Sequence, residues 1–238
     1  MEKLTRGGAR WRCARREGIF ALRPPPSALR PPPSALRMHV ITLDPYLLGD
    51  PLFLTQLARD LAHLGRGAVL VHGSGEAGER ALEATGAIAR PLDGVWAVAN
   101  EAEATTVERA TRELNRQIVH ELNEAGVSAI RVLGADRGLL KRDEGAVRAG
   151  ATAWLGELVG QGVVAVVAAV VAPEAGEALR EVDRLDATAA LGRSLDGARV
   201  LAMTAGSDRE GAERQIEALK GLGVAAEVLN PGALRGLE

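Results

Sequence analysis

The chain has 238 residues, 47% of them hydrophobic and 25% charged, and Cys13 is its single cysteine. These proportions exclude a wholly disordered chain and a disulfide scaffold, and they suit a soluble protein of the reducing cytoplasm with one large domain or two small ones. The formal net charge is −2, unevenly spread: residues 1–37 hold nine Lys or Arg against two Glu, which leaves 38–238 with 20 basic and 29 acidic side chains. An acidic body repels phosphate backbones, so nucleic acid is not expected as a partner. The longest apolar run, 163–173, is shorter than the ~18–20 residues that span a bilayer, and no membrane association is expected.

Ala21 to Arg37 reads ALRPPPS-ALRPPPS-ALR, a direct seven-residue repeat. Proline triplets favour polyproline II and enter neither helix nor sheet, so 1–37 is expected to be a disordered, basic, Pro-rich tail. Met38, where a clean strand begins, is the expected natural start, and 38–238 the folded domain. His39 to Leu43 is a short β-type run ending at Asp44-Pro45. Asp50 and Pro51 open a helix as N-cap and first helical residue, with Phe53, Leu57, Leu61 and Leu64 on one face and Gly65 to Gly67 closing it. Ala68 to His72 is an apolar strand that runs into Gly73-Ser74-Gly75 and a helix ending near Gly86. Strand-like pieces around Ile88 and Val95 to Val98 follow. Thr105 or Thr106 is the expected cap of a long helix with Val107, Ala110, Leu114, Ile118 and Leu122 at helical spacing. A strand over 127–133, a turn at 134–138 and a helix near Trp154 come next. The β-branched run 163–171 reads as one strand buried on both faces. Helix 184–196, strand 198–204, helix 209–222 and strand 224–229 complete the pattern.

Alternating strands and helices predict a three-layer α/β/α sandwich with a mainly parallel sheet. Ligands in such sheets bind outside the carboxyl ends of the strands, which here means loops 43–50, 73–76, 134–138, 172–186 and 204–208. Gly73, Ser74 and Gly75, between a strand and a helix, are candidate phosphate contacts. Gly73, Gly75 and Gly78 also fit the dinucleotide fingerprint, with Asp93 as its acidic ribose partner, which leaves an NAD(P)-binding oxidoreductase as a third reading.

At this loop the sequence resembles the amino acid kinase family, and its acetylglutamate kinase branch in particular. Val69 to Glu76 stands for the family's VLVHGGGP, and Leu114 to Val119 is similar to its VNKxLV helix. Gly134 to Leu140 stands for SGxDGxLL, 163–173 for the buried strand with its VAP end, Asp186 to Leu191 for DxAAxxLA, and Val200 to Thr204 for LILLTD. The resemblance runs in order over 38–205. It implies phosphoryl transfer from ATP, with Mg2+, to the carboxylate of a small acyl amino acid derivative in arginine or lysine biosynthesis, and it allows a homo-oligomer. The site residues it implies are Gly73, Ser74, Gly75 and Thr204 on the nucleotide and Asp186 as the organiser of two lysines.

Those lysines are missing. The family's KxGG falls on Thr42-Leu43-Asp44-Pro45, and its later lysine on Gln215. An asparagine of the family falls on Val182. Lys141 and Lys220 read as solvated surface lysines, and Arg214, beside Gln215, is the candidate replacement for the lost charge. Two function classes therefore stand: an acyl amino acid kinase with weak or lost activity, or a non-catalytic relative that keeps a nucleotide or small-molecule pocket and regulates a partner.

Overall fold

The computed structural model describes residues 38–64, 66–172, 178–204 and 208–236. The proline-rich tail of 1–37, Gly65 and Pro173 lie outside the described residues. The described residues open with β1 (His39–Leu43), the short α1 (Pro45–Leu48), α2 (Pro51–Leu64), β2 (Ala68–His72) and α3 (Gly75–Ala84). A small hairpin of β3 (Pro91–Leu92) and β4 (Val95–Trp96) leads to α4 (Glu101–Glu124) and β5 (Ala129–Leu133). A second hairpin, β6 (Leu140–Asp143) and β7 (Ala146–Ala149), precedes α5 (Ala153–Gly160) and β8 (Val164–Ala168). The two-residue strands β9 (Val170–Val171) and β10 (Arg180–Glu181) pair antiparallel, and α6 (Arg184–Ser194), β11 (Arg199–Met203), α7 (Arg209–Gly221) and β12 (Ala226–Leu229) finish the fold.

Six strands form one parallel sheet in the order β12-β11-β1-β2-β8-β5, as the sequence pattern predicts. Strand alternation divides its side chains between two apolar layers. Val40, Val69, Val71, Ala165, Val167 and Val200 meet Leu155 and Val159 of α5, Ala187 to Leu191 of α6 and Leu219 of α7. Ile41, Leu43, Leu70, Val164, Val166 and Leu201 meet Phe53, Leu57 and Leu61 of α2 and Leu114, Ile118 and Leu122 of α4. This covers both faces and explains why β8 is apolar at every position.

Three expectations are corrected. The helix α4 begins at Glu101, not at Thr105 or Thr106. Its N-cap is Asn100, whose side chain accepts from the Glu103 N–H, while the Glu103 carboxylate accepts from the Ala99 N–H. The Thr105 and Thr106 hydroxyls donate to the Glu101 and Ala102 carbonyls from inside the helix. Ile88 lies in no strand and is exposed. The run 163–171 is not one strand: the chain leaves the sheet at Ala169, whose N–H donates to the His72 carbonyl, and re-pairs as β9 with β10. That break carries 180–186 to the carboxyl ends of β1 and β2.

Candidate functional site

β1, β2 and β11 end beside one another, and each end places a group from the sequence analysis. At the end of β2, His72 is fully buried, and burial lowers its pKa to about 4, so the ring is neutral. Its Nε2 accepts from Asn115 of α4 at 3.0 Å, which leaves the proton on Nδ1 to donate to the Gly73 carbonyl at 2.8 Å. Asn115 also donates to the Val166 carbonyl. The glycine loop is thus fixed from beneath. Gly75 takes φ +52° with Pro45 Cβ 3.1 Å from where its own Cβ would stand, so a side chain there is both strained and crowded.

At the end of β1, Thr42 is fully buried and its hydroxyl accepts from Arg184 Nη1 at 3.1 Å. Asp44 caps α1 through the Tyr46 N–H, and its other oxygen accepts from Gln215 Nε2 at 2.6 Å. The structure therefore brings Thr42, Asp44 and Gln215 to one place. Burial lowers the Arg184 pKa, while Asp44 and Asp183 act to raise it. Arg214 does not join them. It lies on the exposed side of α7 within 3.7 Å of Glu210. Among the described residues the lysines are also elsewhere: Lys141 is exposed on β6 and Lys220 pairs with Glu217 late in α7. Thr204 follows β11, buried, and its hydroxyl has no hydrogen-bond partner among the described residues.

Glu181 of β10 completes the loop. Its carboxylate accepts from both the N–H and the hydroxyl of Ser74, the hydroxyl at 2.9 Å, and it crowds Gly73, where a Cβ would stand 2.8 Å from Oε1. Burial is the main cause that raises its pKa to about 7; the Ser74 bonds oppose this and Asp183 adds to it. A cavity of about 310 Å³ opens here, lined by Pro45, Tyr46, the glycine loop, Trp96, Glu181 and Arg184. A neighbouring cavity of about 380 Å³ lies among the β3–β4 hairpin, α4, the β6–β7 hairpin and the start of α6, with Asp93, Arg142, Asp183 and Asp186 in its wall. Burial, then Asp183, raises the Asp186 pKa. The β3–β4 hairpin spans both cavities. Trp96 Nε1 donates to the Gly75 carbonyl at 2.9 Å, and Gly94, at φ +79°, packs so closely on Asp183 that no Cβ fits.

Glu181 and Arg184 were not singled out by the sequence analysis. The one available signal was their position in loop 172–186, at a strand's carboxyl end. The residues present are a poor fit to Mg-ATP at this loop: the Ser74 donors already serve Glu181, and the cation at hand, Arg184, has Asp44 and Asp183 beside it. Among the described residues no cluster of three or more His, Cys, Asp or Glu is placed to hold a metal ion, and no helix is long and apolar enough to cross a membrane.

A parallel α/β sandwich with a glycine loop after its second strand, and the β3–β4 hairpin bonded to that loop through Trp96, defines the class. The chain belongs to the amino acid kinase family, whose model matches residues 39–207. It is 32% identical over 102 residues to the acetylglutamate kinase of Chloroflexus aggregans, a match that spans 43% of this chain and 40% of that protein. Among solved structures it resembles an isopentenyl phosphate kinase, with TM-score 0.64 and 16% identity over 84% of this chain and 95% of the other. It also resembles the N-acetylglutamate synthase of Neisseria gonorrhoeae, with TM-score 0.63 and 18% identity over 83% of this chain and 56% of the other. At these identities the solved structures speak for the fold alone. The dinucleotide fingerprint of Gly73, Gly75 and Gly78 is thus a feature of an amino acid kinase loop.

Proposed function

We propose that this protein is an acetylglutamate kinase-like member of the family in which phosphoryl transfer is lost or residual, and which works by holding a nucleotide or a small amino acid derivative in the cleft beneath the β3–β4 hairpin. The reading rests on one observation above others: Thr42 stands where the resemblance requires a lysine, and its hydroxyl is taken up by Arg184. A transferring phosphoryl group needs fixed positive charge and open donors on its oxygens. Here Asp44 and Gln215 hold each other, and Asp44 would add negative charge where the family has glycine. Removing one such donor commonly lowers the rate ~10²–10³-fold, so replacing two lysines leaves little turnover.

A second reading is favoured by Arg184 itself, which brings a guanidinium to the loop and could stand in for a lysine. Incubating the full chain with Mg-ATP and N-acetylglutamate, and trapping acyl phosphate with hydroxylamine, separates the two. No hydroxamate above background is expected, whereas calorimetry shows binding of nucleotide or of an amino acid derivative. Robust turnover that Arg184→Ala abolishes would overturn the proposal in favour of an arginine-dependent kinase.

A further inference from the structure

The glycine loop offers what an anion requires: a helix start at α3 and the Ser74 N–H, reinforced by the Ser74 hydroxyl. In this chain those donors are turned onto a carboxylate of the chain itself. Glu181 is delivered by backbone that leaves it little freedom. β10 pairs with β9, with Glu181 opposite Val170, and the next residue, Val182, donates its N–H to the Ala169 carbonyl at 2.9 Å. Ala169 in turn donates to the carbonyl of His72, which leads into the loop. Both the donors and the carboxylate that fills them are therefore anchored to the end of β2. Ser74 stands where the family motif has glycine, so its hydroxyl is a second donor to Glu181 that the family pattern lacks.

We infer that Glu181 is an internal anion that occupies the glycine loop, so that a phosphate- or sulfate-type group binds there only by displacing it. A charged carboxylate bonded to an N–H and an O–H competes directly with an incoming anion, while a protonated one competes weakly. With the Glu181 pKa raised to about 7, the loop is closed above neutrality and opens as pH falls. The charged groups around it are Asp44 and Arg184 from the β1 and α6 side, Glu76 on α3, Asp183 and Asp186 on α6, and Asp93, Arg142 and Arg180 toward the second cavity. His72 stays neutral above about pH 4 and does not contribute a switch in this range. The inference rests on the proposed reading of the loop as the family's anion-binding loop, and it supplies that site's regulation.

The test uses inorganic sulfate, which stays dianionic between pH 5.5 and 8.5, titrated into the full chain by calorimetry. A competing carboxylate of pKa about 7 weakens sulfate binding about 30-fold at pH 8.5 relative to pH 5.5. Glu181→Ala and Glu181→Gln are expected to bind sulfate at pH 8.5 about as tightly as the parent does at pH 5.5, with at most a twofold change across the range. Both variants are first checked for the parent's circular dichroism. A parent indifferent to pH, variants no tighter than the parent at pH 8.5, or no sulfate binding by any of the three would each overturn the inference. Acyl phosphate formation by the parent would instead sink the lost-turnover reading and leave the sulfate result standing.

Discussion

His72 and Glu181 both hold the glycine loop, and they titrate in opposite senses. The pKa of His72 falls from 6.5 unfolded to about 4 folded, so its contribution to stability is full above 6.5 and is lost as pH drops toward 4. The pKa of Glu181 rises from 4.5 to about 7, so its contribution is full below 4.5 and is lost as pH climbs toward 7. Each slope is about 1.4 kcal/mol per pH unit, and between about pH 4.5 and 6.5 they cancel. Glu181→Gln keeps the shape and removes one of the two. Its unfolding free energy, read from urea titrations, is expected to fall more steeply than the parent's, by about 1.4 kcal/mol per unit, as pH drops from 6.5 to 4.5; parallel curves would refute this account. The glycine loop and His72 were legible because strand, loop and helix are contiguous in sequence. Glu181 and Arg184 were not, because their partners Ser74 and Thr42 lie 107 and 142 residues away. A contact of that separation leaves no local pattern, and a surface salt-bridge reading fits an isolated Glu or Arg equally well.

At the scale of elements, periodicity found the helices and strands that bury a full stripe, such as α2 with Phe53, Leu57 and Leu61, and missed those held by hydrogen bonds. In the β3–β4 hairpin, β4 answers the strand-like piece expected at Val95 to Val98, whereas β3, two exposed residues at Pro91–Leu92, carries no hydrophobic alternation to read. The start of α4 shows the same limit. Residues 101–106 pack only Ala104 fully, so the apolar pattern begins late and points to Thr105 or Thr106, whereas the reciprocal Asn100–Glu103 cap sets the true start. Asn100→Ala should lower stability by about 1 kcal/mol through loss of that cap, with frayed amides over 101–104 in hydrogen exchange. Thr105→Ala should change stability by less than about 0.5 kcal/mol, because its exposed hydroxyl only donates back within the helix. The opposite ranking of the two variants would place the cap where the sequence alone suggested it.

At the scale of the molecule, alternation of strands and helices was enough to give the parallel sandwich, because a sheet buried on both faces must read as nearly continuous apolar strands. The same logic bears on residues 1–37. Both apolar layers draw their helices from 45–221, and Leu234, in a 3-10 turn at Ala233–Gly236 after β12, is fully buried against α2 and its neighbours. The described residues thus cover the sheet on each face. What those residues supply is charge: their surplus of seven positive charges brings the whole chain from −9 to −2. We therefore expect a 38–238 fragment to keep the parent's circular dichroism and to melt within about 4 °C of it, since a shift of that size corresponds to about 1 kcal/mol in a domain of this length. The same fragment should bind an anion-exchange matrix more tightly and should bind sulfate more weakly at low ionic strength, with the difference fading as salt shortens the reach of the charges to about 10 Å at 0.1 M. A drop of 8 °C or more in the melting temperature would show that the tail packs against the domain.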